Sequence, residues 1–369
     1  MSKLWRWCQE TFELSRGNHA NIRSMEGMRG LAVTAVFCVH YATLCFPYVS
    51  HSGMAPIMQA LHQIGNAGVD LFFVLSGYLI YGAALKRPPY FAFMKRRIRR
   101  IYPAFLAVFS IYVLLSFAMP HESKIPAGLW PGMIFLAQNA LLLPGIFPIP
   151  RMIPVAWSLS YEMMYYLVIP VWVMGLRLHR WRRGTRIALL LSLAVLGALA
   201  ACIAGGPVRA IMFLGGAALY DAKDRGIHWP LLAPIALTAA FASMLLPAGT
   251  RGLDAMHAVI LLIALTLFCF ACFSEPASST SKRLSAWPVR WLGNMSYSYY
   301  LLHGVVLKAA FVVLMRWRSP TGHEAVMAVA LLVPLYLLTI LVSAMLFASV
   351  ERPFSLRGER REPPVGVLN

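Results

Sequence analysis

The sequence is short of charge, and of acidic charge above all. Only 13% of its 369 residues are Asp, Glu, Lys or Arg, about half the share of an ordinary soluble domain. With 59% hydrophobic residues, a water-soluble fold has too little polar surface to cover its apolar side chains. The first 28 residues hold no apolar run ahead of a small-residue cleavage site, so no removable signal peptide is expected and the N-terminus should be retained. Cysteine is sparse, with six residues at 8, 38, 45, 202, 269 and 272. The one CxxC, Cys269 to Cys272, sits in the apolar run FCFACF with no second ligand pair. No metal site is therefore expected, and the thiols read as small buried apolar groups. Internal repeats, low-complexity linkers and an appended soluble domain are also missing.

What is present in abundance is long apolar segments. Runs near 20 residues match a hydrocarbon slab of roughly 30 Å at about 1.5 Å per helical residue. Ten such spans are predicted, near 29–47, 66–85, 100–118, 157–176, 186–204, 207–222, 230–248, 255–274, 291–315 and 325–349. An eleventh apolar stretch at 129–144 would break the parity of charge across the membrane if it crossed, so it is expected to be re-entrant or interfacial. Without it, 26 of the 33 Lys and Arg fall on one side and six on the other, with Lys308 inside a span. That bias places both termini in the cytoplasm. The run at 177–186 reads as topology alone. The expectation is an all-α polytopic bundle of about ten transmembrane helices: a cytoplasmic segment 1–28, a membrane domain 29–354 and a cytoplasmic tail 355–369. The basic excess thus reports orientation in a lipid bilayer, and no nucleic-acid partner is expected.

Ionisable side chains inside spans are costly and mark function. Arg29 opens the first span, and His40 follows eleven residues later, about 16 Å deeper. An imidazole there is either a structural hydrogen-bonding group or a general base facing a cavity. Asp70, in GVDLFFVLSGYLI, either orients an imidazole or a sugar hydroxyl, or pairs with a basic group to seal a helix contact. The cluster KRRIRRIYP at 95–103 satisfies the positive-inside rule, and its guanidinium forks equally suit phosphate oxygens. In WSLSYEMMYYL, Ser158, Glu162 and Tyr165 are expected on one helix face, and Glu162 lies deep enough to need a partner or a water-filled cavity. Tyr300 and His303 form a polar stripe in the ninth span that a transport path or an active site would serve equally. Glu351–Arg352 reads as a cap and cytoplasmic anchor.

Taken in order, MEGMRG with Arg29 and His40, GVDLFFVLSGYLI, RRIRRIYP, WSLSYEMMYYL, LGNMSYSYYLLH and VERPF resemble acyltransferase family 3, a family of polytopic membrane enzymes. These motifs run from 25 to 354. The resemblance implies transfer of an acyl group, commonly acetyl from cytoplasmic acetyl-CoA, to hydroxyls of exported or cell-surface polysaccharide, lipopolysaccharide or peptidoglycan. It implies a bacterial inner-membrane location and no permanently bound cofactor, acyl-CoA being a donor substrate. It also implies that the essential arginine–histidine pair is Arg29 and His40, and that Arg96, Arg97, Arg100 and Tyr102 form the donor-binding motif. Glu162 and Asp70 complete the expected catalytic set. On this reading CoA docks at the inner face with its thioester directed toward His40, which either deprotonates the acceptor or takes the acyl group itself. Glu26 stands where the family more often has Asp. The family's extracytoplasmic hydrolase-like domain is not seen, so polysaccharide biosynthesis or export proteins are expected to supply any such function. A small-molecule or lipid acyltransferase, and a transporter or flippase, are the competing readings.

Overall fold

The computed structural model describes residues 3–14, 20–224, 229–247, 249–317 and 324–356. Among these the chain is helical, with no strand beyond one isolated bridge between Pro144 and Phe147. Helix α1 (Lys3–Phe12) precedes α2 (Ala20–Val49), α3 (Ala55–Gly65), α4 (Ala67–Leu85), α5 (Tyr90–Ala118), α6 (Leu129–Ala140) and α7 (Ala156–Gly175). Then come α8 (Arg183–Ala204), α9 (Ile211–Ala222), α10 (Leu232–Ser243), α11 (Arg251–Ser274), α12 (Ser279–Leu284), α13 (Trp287–Asn294), α14 (Ser296–Trp317) and α15 (Glu324–Leu346), which runs on as a π-helix through Phe347–Ser355. The protein is an all-α, multi-pass membrane protein. Seven helical segments among the described residues are long and apolar enough to cross a bilayer. They match seven of the ten expected spans. The other three appear as α7, of 20 residues, and as α9 and α10, of only 12 each.

Sidedness follows from how α4 and α9 pack. At one end Asp70 binds Arg209, just before α9, and at the other Tyr81 donates to Asp221 of α9 at 3.2 Å. The two helices therefore run parallel. Parallel packing needs an odd number of crossings between them, in keeping with the expected crossings by α5, α7 and α8 and an α6 that stays out of the count. Helix α6 is about 18 Å long at 1.5 Å per residue, as short as α9 and α10. Its Leu129, Trp130, Met133 and Ile134 point outward, while Asn139 ties it down by donating to the carbonyl of Pro150 and accepting from Met152 N–H. An interfacial position fits all of this. Arg186, at the head of α8, does more than set topology. It is buried and forms a two-pronged pair with Asp221.

The N-terminal segment is part of the same body. Phe12 stacks on Phe347 at 5.7 Å, and Trp5 packs against Trp287 and Trp291, an aromatic group of the kind found at membrane interfaces. Helix α2 begins at Ala20, so the expected boundary at 28 falls inside a helix. Residues 357–369, nearly all of the expected tail, lie outside the described residues. Glu26, where the family more often has Asp, accepts from Arg290 Nε at 2.9 Å and pins α2 to α13.

Close backbone approach holds α4 against α9, as small residues allow between membrane helices. A Cβ on Gly216 would lie 1.9 Å from the Val74 carbonyl oxygen and 2.7 Å from the Tyr78 nitrogen, whereas one on Gly53 would meet nothing within 4 Å. Gly216→Ala should therefore lower stability by about 1–3 kcal/mol, read as a lower thermal midpoint in detergent, with Gly53→Ala unchanged.

Candidate active site

A cavity of about 380 Å³ opens where α2, α4, α5, α7 and α14 converge. Its basic wall is built from one turn and a half of α5, which carries Arg96, Arg97, Arg99 and Arg100, with Arg29 of α2 beside them. Because Arg97 lies seven residues into a 29-residue helix, this wall stands about 10 Å above the helix start. Arg97 is sandwiched between Phe93 and Tyr166, with its guanidinium carbon 5.2 and 5.5 Å from the ring centres, and its Nε is buried with no hydrogen-bond partner. Arg29 Nε donates to Ser296 Oγ at 3.1 Å. Arg100 donates to Glu351 at 2.6 Å.

The opposite wall is hydroxyl-rich around one carboxylate. Glu162 Oε1 accepts from Ser76 Oγ at 2.9 Å and from Tyr166 at 2.5 Å. The tyrosine beside Glu162 is Tyr166, although spacing put Tyr165 on the same helix face. Residues four apart lie about 40° apart around a helix and three apart about 60° the other way. Tyr165 accordingly turns toward α9 and stacks on Phe213 at 4.5 Å. Five guanidinium groups and one carboxylate share this lining, so its field favours anions.

The upper end of the cavity is closed by Phe72 and Tyr300. Their rings meet edge to face at 5.9 Å, and the Tyr300 hydroxyl pairs with Ser158 Oγ at 2.6 Å. His303 lies one turn further along α14, its ring 6.1 Å from that of Tyr300, and His40 lies beyond it at 4.9 Å between ring centres. Arg29, Arg96, Arg97, Arg100 and Glu162 are thus brought together, whereas His40, Asp70 and Tyr102 are not among the lining residues.

Those three sit elsewhere for identifiable reasons. Both carboxylate oxygens of Asp70 are taken by Arg209, at 2.9 and 2.6 Å, and Arg209 also lies over the Trp157 ring. Asp70 therefore seals α4 to the start of α9 rather than reaching an imidazole. Tyr102 packs edge-on against Phe105 at 6.0 Å. His40 is half-buried and faces His303. Glu351 departs from the expected cap. It is fully buried and accepts from Arg100, Ser298 N–H and Ser298 Oγ, because the π-helical turn at the end of α15 rotates it inward. Arg352 does act as an anchor, donating to the Glu10 carbonyl of α1.

The geometry is that of a polar chamber fitted for an anionic ligand, with two imidazoles past its apolar end. An acyltransferase domain model matches residues 22–348, which spans every one of these helices except α1. The chain belongs to acyltransferase family 3. Among its relatives, peptidoglycan O-acetyltransferase OatA of Listeria monocytogenes is 26% identical over 93% of this chain and 57% of its own length. Putative peptidoglycan O-acetyltransferase YrhL of Bacillus subtilis is 25% identical over 93% and 56%. Acyltransferase MdmB of Streptomyces mycarofaciens is 32% identical over 40% of this chain and 38% of its own. The chain thus spans between about two fifths and three fifths of these relatives. No solved structure matches. Arg29 and His40 both lie on α2, with Arg29 in the chamber and His40 beyond its end.

Sequence reasoning gave no role to Phe72 or Ser76 and read Arg99 only as one member of its basic cluster, because helix spacing alone did not place Phe72 against α14 or Ser76 against α7.

The Asp70–Arg209 assignment is testable. Asp70→Ala strands a guanidinium in the membrane, and the cost should lie at the low end of the roughly 3–5 kcal/mol seen for broken buried pairs, since Arg209 keeps 30% of its side chain exposed. Asp70→Leu with Arg209→Met should recover most of the lost thermal midpoint.

Proposed function

We propose that this protein is a membrane-bound O-acyltransferase that moves an acyl group, acetyl in the first instance, from cytoplasmic acyl-CoA to a hydroxyl of a cell-surface or exported polysaccharide. The observation that carries this reading is the chamber that combines Arg29, Arg96, Arg97, Arg99 and Arg100 with Glu162. Guanidinium groups bind phosphate oxygens in pairs, and CoA carries both a diphosphate and a 3′-phosphate. The bias of Lys and Arg toward one face supports an arginine wall on the cytoplasmic side, where the donor is made. A bacterial inner membrane is the matching location. The names of the OatA and YrhL relatives point to a glycan acceptor.

The chemistry assigned to the site is general-base catalysis. The donor phosphates rest on the arginines, and the pantetheine arm runs past Phe72 and Tyr300 once the Tyr300 hydroxyl leaves Ser158. His40 takes the proton of the acceptor hydroxyl as its oxygen bonds to the thioester carbon. The carbon–sulfur bond then breaks, and the imidazolium returns its proton to the CoA thiolate. Glu162, held by Ser76 and Tyr166, borders the path of the arm. Polysaccharide biosynthesis or export proteins would present the acceptor.

Membranes with matched amounts of wild-type or variant protein, supplied with acetyl-radiolabelled acetyl-CoA and surface polysaccharide, test this directly. His40→Ala should abolish glycan labelling while leaving insertion intact. Arg97→Ala should raise KM for acetyl-CoA by about tenfold or more, the scale of one lost charge-assisted contact of roughly 1.5–3 kcal/mol, with a smaller change in kcat. Full labelling by His40→Ala would overturn the mechanism. No labelling of any glycan by a well-inserted wild type would overturn the acceptor class.

A further inference from the structure

Several buried side-chain atoms outside the arginine chamber have no hydrogen-bond partner, His257 Nε2 and His303 Nε2 among them, and His303 is the one whose ring lies against His40. Its side chain is fully buried in α14. Nδ1 lies 2.9 Å from the Tyr299 carbonyl oxygen. A carbonyl only accepts, so Nδ1 must carry the ring proton, and Nε2 is left as a bare acceptor. That Nε2 is buried with no hydrogen-bond partner, which is costly in a membrane interior unless something arrives to meet it. The ring is stacked almost parallel on Tyr299, 5° between planes at 5.5 Å, Tyr299 is itself held through its hydroxyl to Thr339 at 2.9 Å, and a flip within that stack would give up the bond to the Tyr299 carbonyl. The nearest ring is that of His40, at 4.9 Å between centres and 59° between planes. That separation is within the reach of a ring-to-ring N–H···N contact once the less buried His40 ring turns.

We propose that His303 is the positioning residue for His40: its Nε2 accepts the N–H of one His40 nitrogen, which holds the other His40 nitrogen as a bare base toward the acceptor hydroxyl. This rests on the general-base reading of His40. When His40 takes the acceptor proton it becomes a cation, and the His303 acceptor stabilises that cation without taking its proton. His303 remains neutral with its own proton on Nδ1, and the His40 proton goes on to the CoA sulfur. The arrangement does for His40 what an orienting carboxylate does in a nucleophile–base–carboxylate triad, but with a neutral group. A carboxylate in its place would need a further counter-charge in the apolar layer.

The test compares His303→Phe and His303→Gln with wild type and His40→Ala in the acetyl-transfer assay, with thermal midpoints in detergent for each. His303→Phe keeps the ring stack and removes the acceptor. Its kcat should fall about 100-fold, the lower end of what a positioned base contributes, while KM for acetyl-CoA stays within twofold because the arginine chamber lies beyond Tyr300. His303→Gln restores an acceptor oxygen and should regain at least tenfold of that loss. A purely packing role would show the reverse order, with Phe near wild type and Gln impaired, and that result overturns the proposal. Equal loss in both variants with unchanged midpoints also overturns it. If His40→Ala is active, the general-base reading itself falls. If His40→Ala is dead and His303→Phe is fully active, only the role of His303 falls.

Discussion

Pairing between guanidinium and carboxylate groups across helices governs this structure. In a lipid-embedded core an isolated charge is costly, and the cost is met when an opposite charge with good hydrogen-bond geometry stands against it. The four carboxylates buried among the described residues are Glu26, Asp70, Asp221 and Glu351. Each is held by an arginine from a distant helix: Arg290, Arg209, Arg186 and Arg100. These pairs fix α2 to α13, α4 to the start of α9, α9 to α8, and the end of α15 to α5. Because two of them sit at or beside the ends of α9, they help set its direction relative to α4, and through that the parity of the crossings between.

Glu162 is the instructive contrast. It is half-buried, lies at the cavity wall and is held by two hydroxyls. The arginines that share its chamber outnumber it. The structural pairs neutralise the buried carboxylates, Arg100 of the chamber among them, and Arg29, Arg96, Arg97 and Arg99 still leave the chamber an excess of positive charge. A chamber with that field recognises an anion by charge and leaves the reacting chemistry to a separate, more apolar layer. The Phe72–Tyr300 wall divides the two, and the Tyr300–Ser158 hydrogen bond joins α14 to α7 across the boundary. Such a division suits a reaction whose donor and acceptor come from opposite faces of a membrane, as proposed for this member of acyltransferase family 3.

Much of this was legible before any coordinates. Apolar run length announced a helical membrane protein, because lipid leaves no other economical way to satisfy the backbone. The ordered motifs indicated the family. The surprises came where a local rule had several solutions. Asp70 had an orienting and a sealing reading, and Arg209, 139 residues away, decides for sealing. Helical spacing permitted either Tyr165 or Tyr166 beside Glu162. Spans 207–222 and 230–248 have the composition of crossings, yet Gly205, Gly206 and Pro207 break the chain before α9, and both helices are short.

What the sequence determined by itself, then, is everything set by one residue or one run at a time: solvent class, helicity and the identity of the chemical groups. What only the tertiary structure decided is which groups meet. Arg29 and His40 share one helix and one motif, but whether they face a single chamber depends on where α14 places Tyr300. His303 reads in sequence as one more polar residue in a span. Its fixed proton on Nδ1, its vacant Nε2 and its position against His40 exist only because α2 and α14 pack together, since contacts 263 residues apart in sequence leave no periodic trace along the chain.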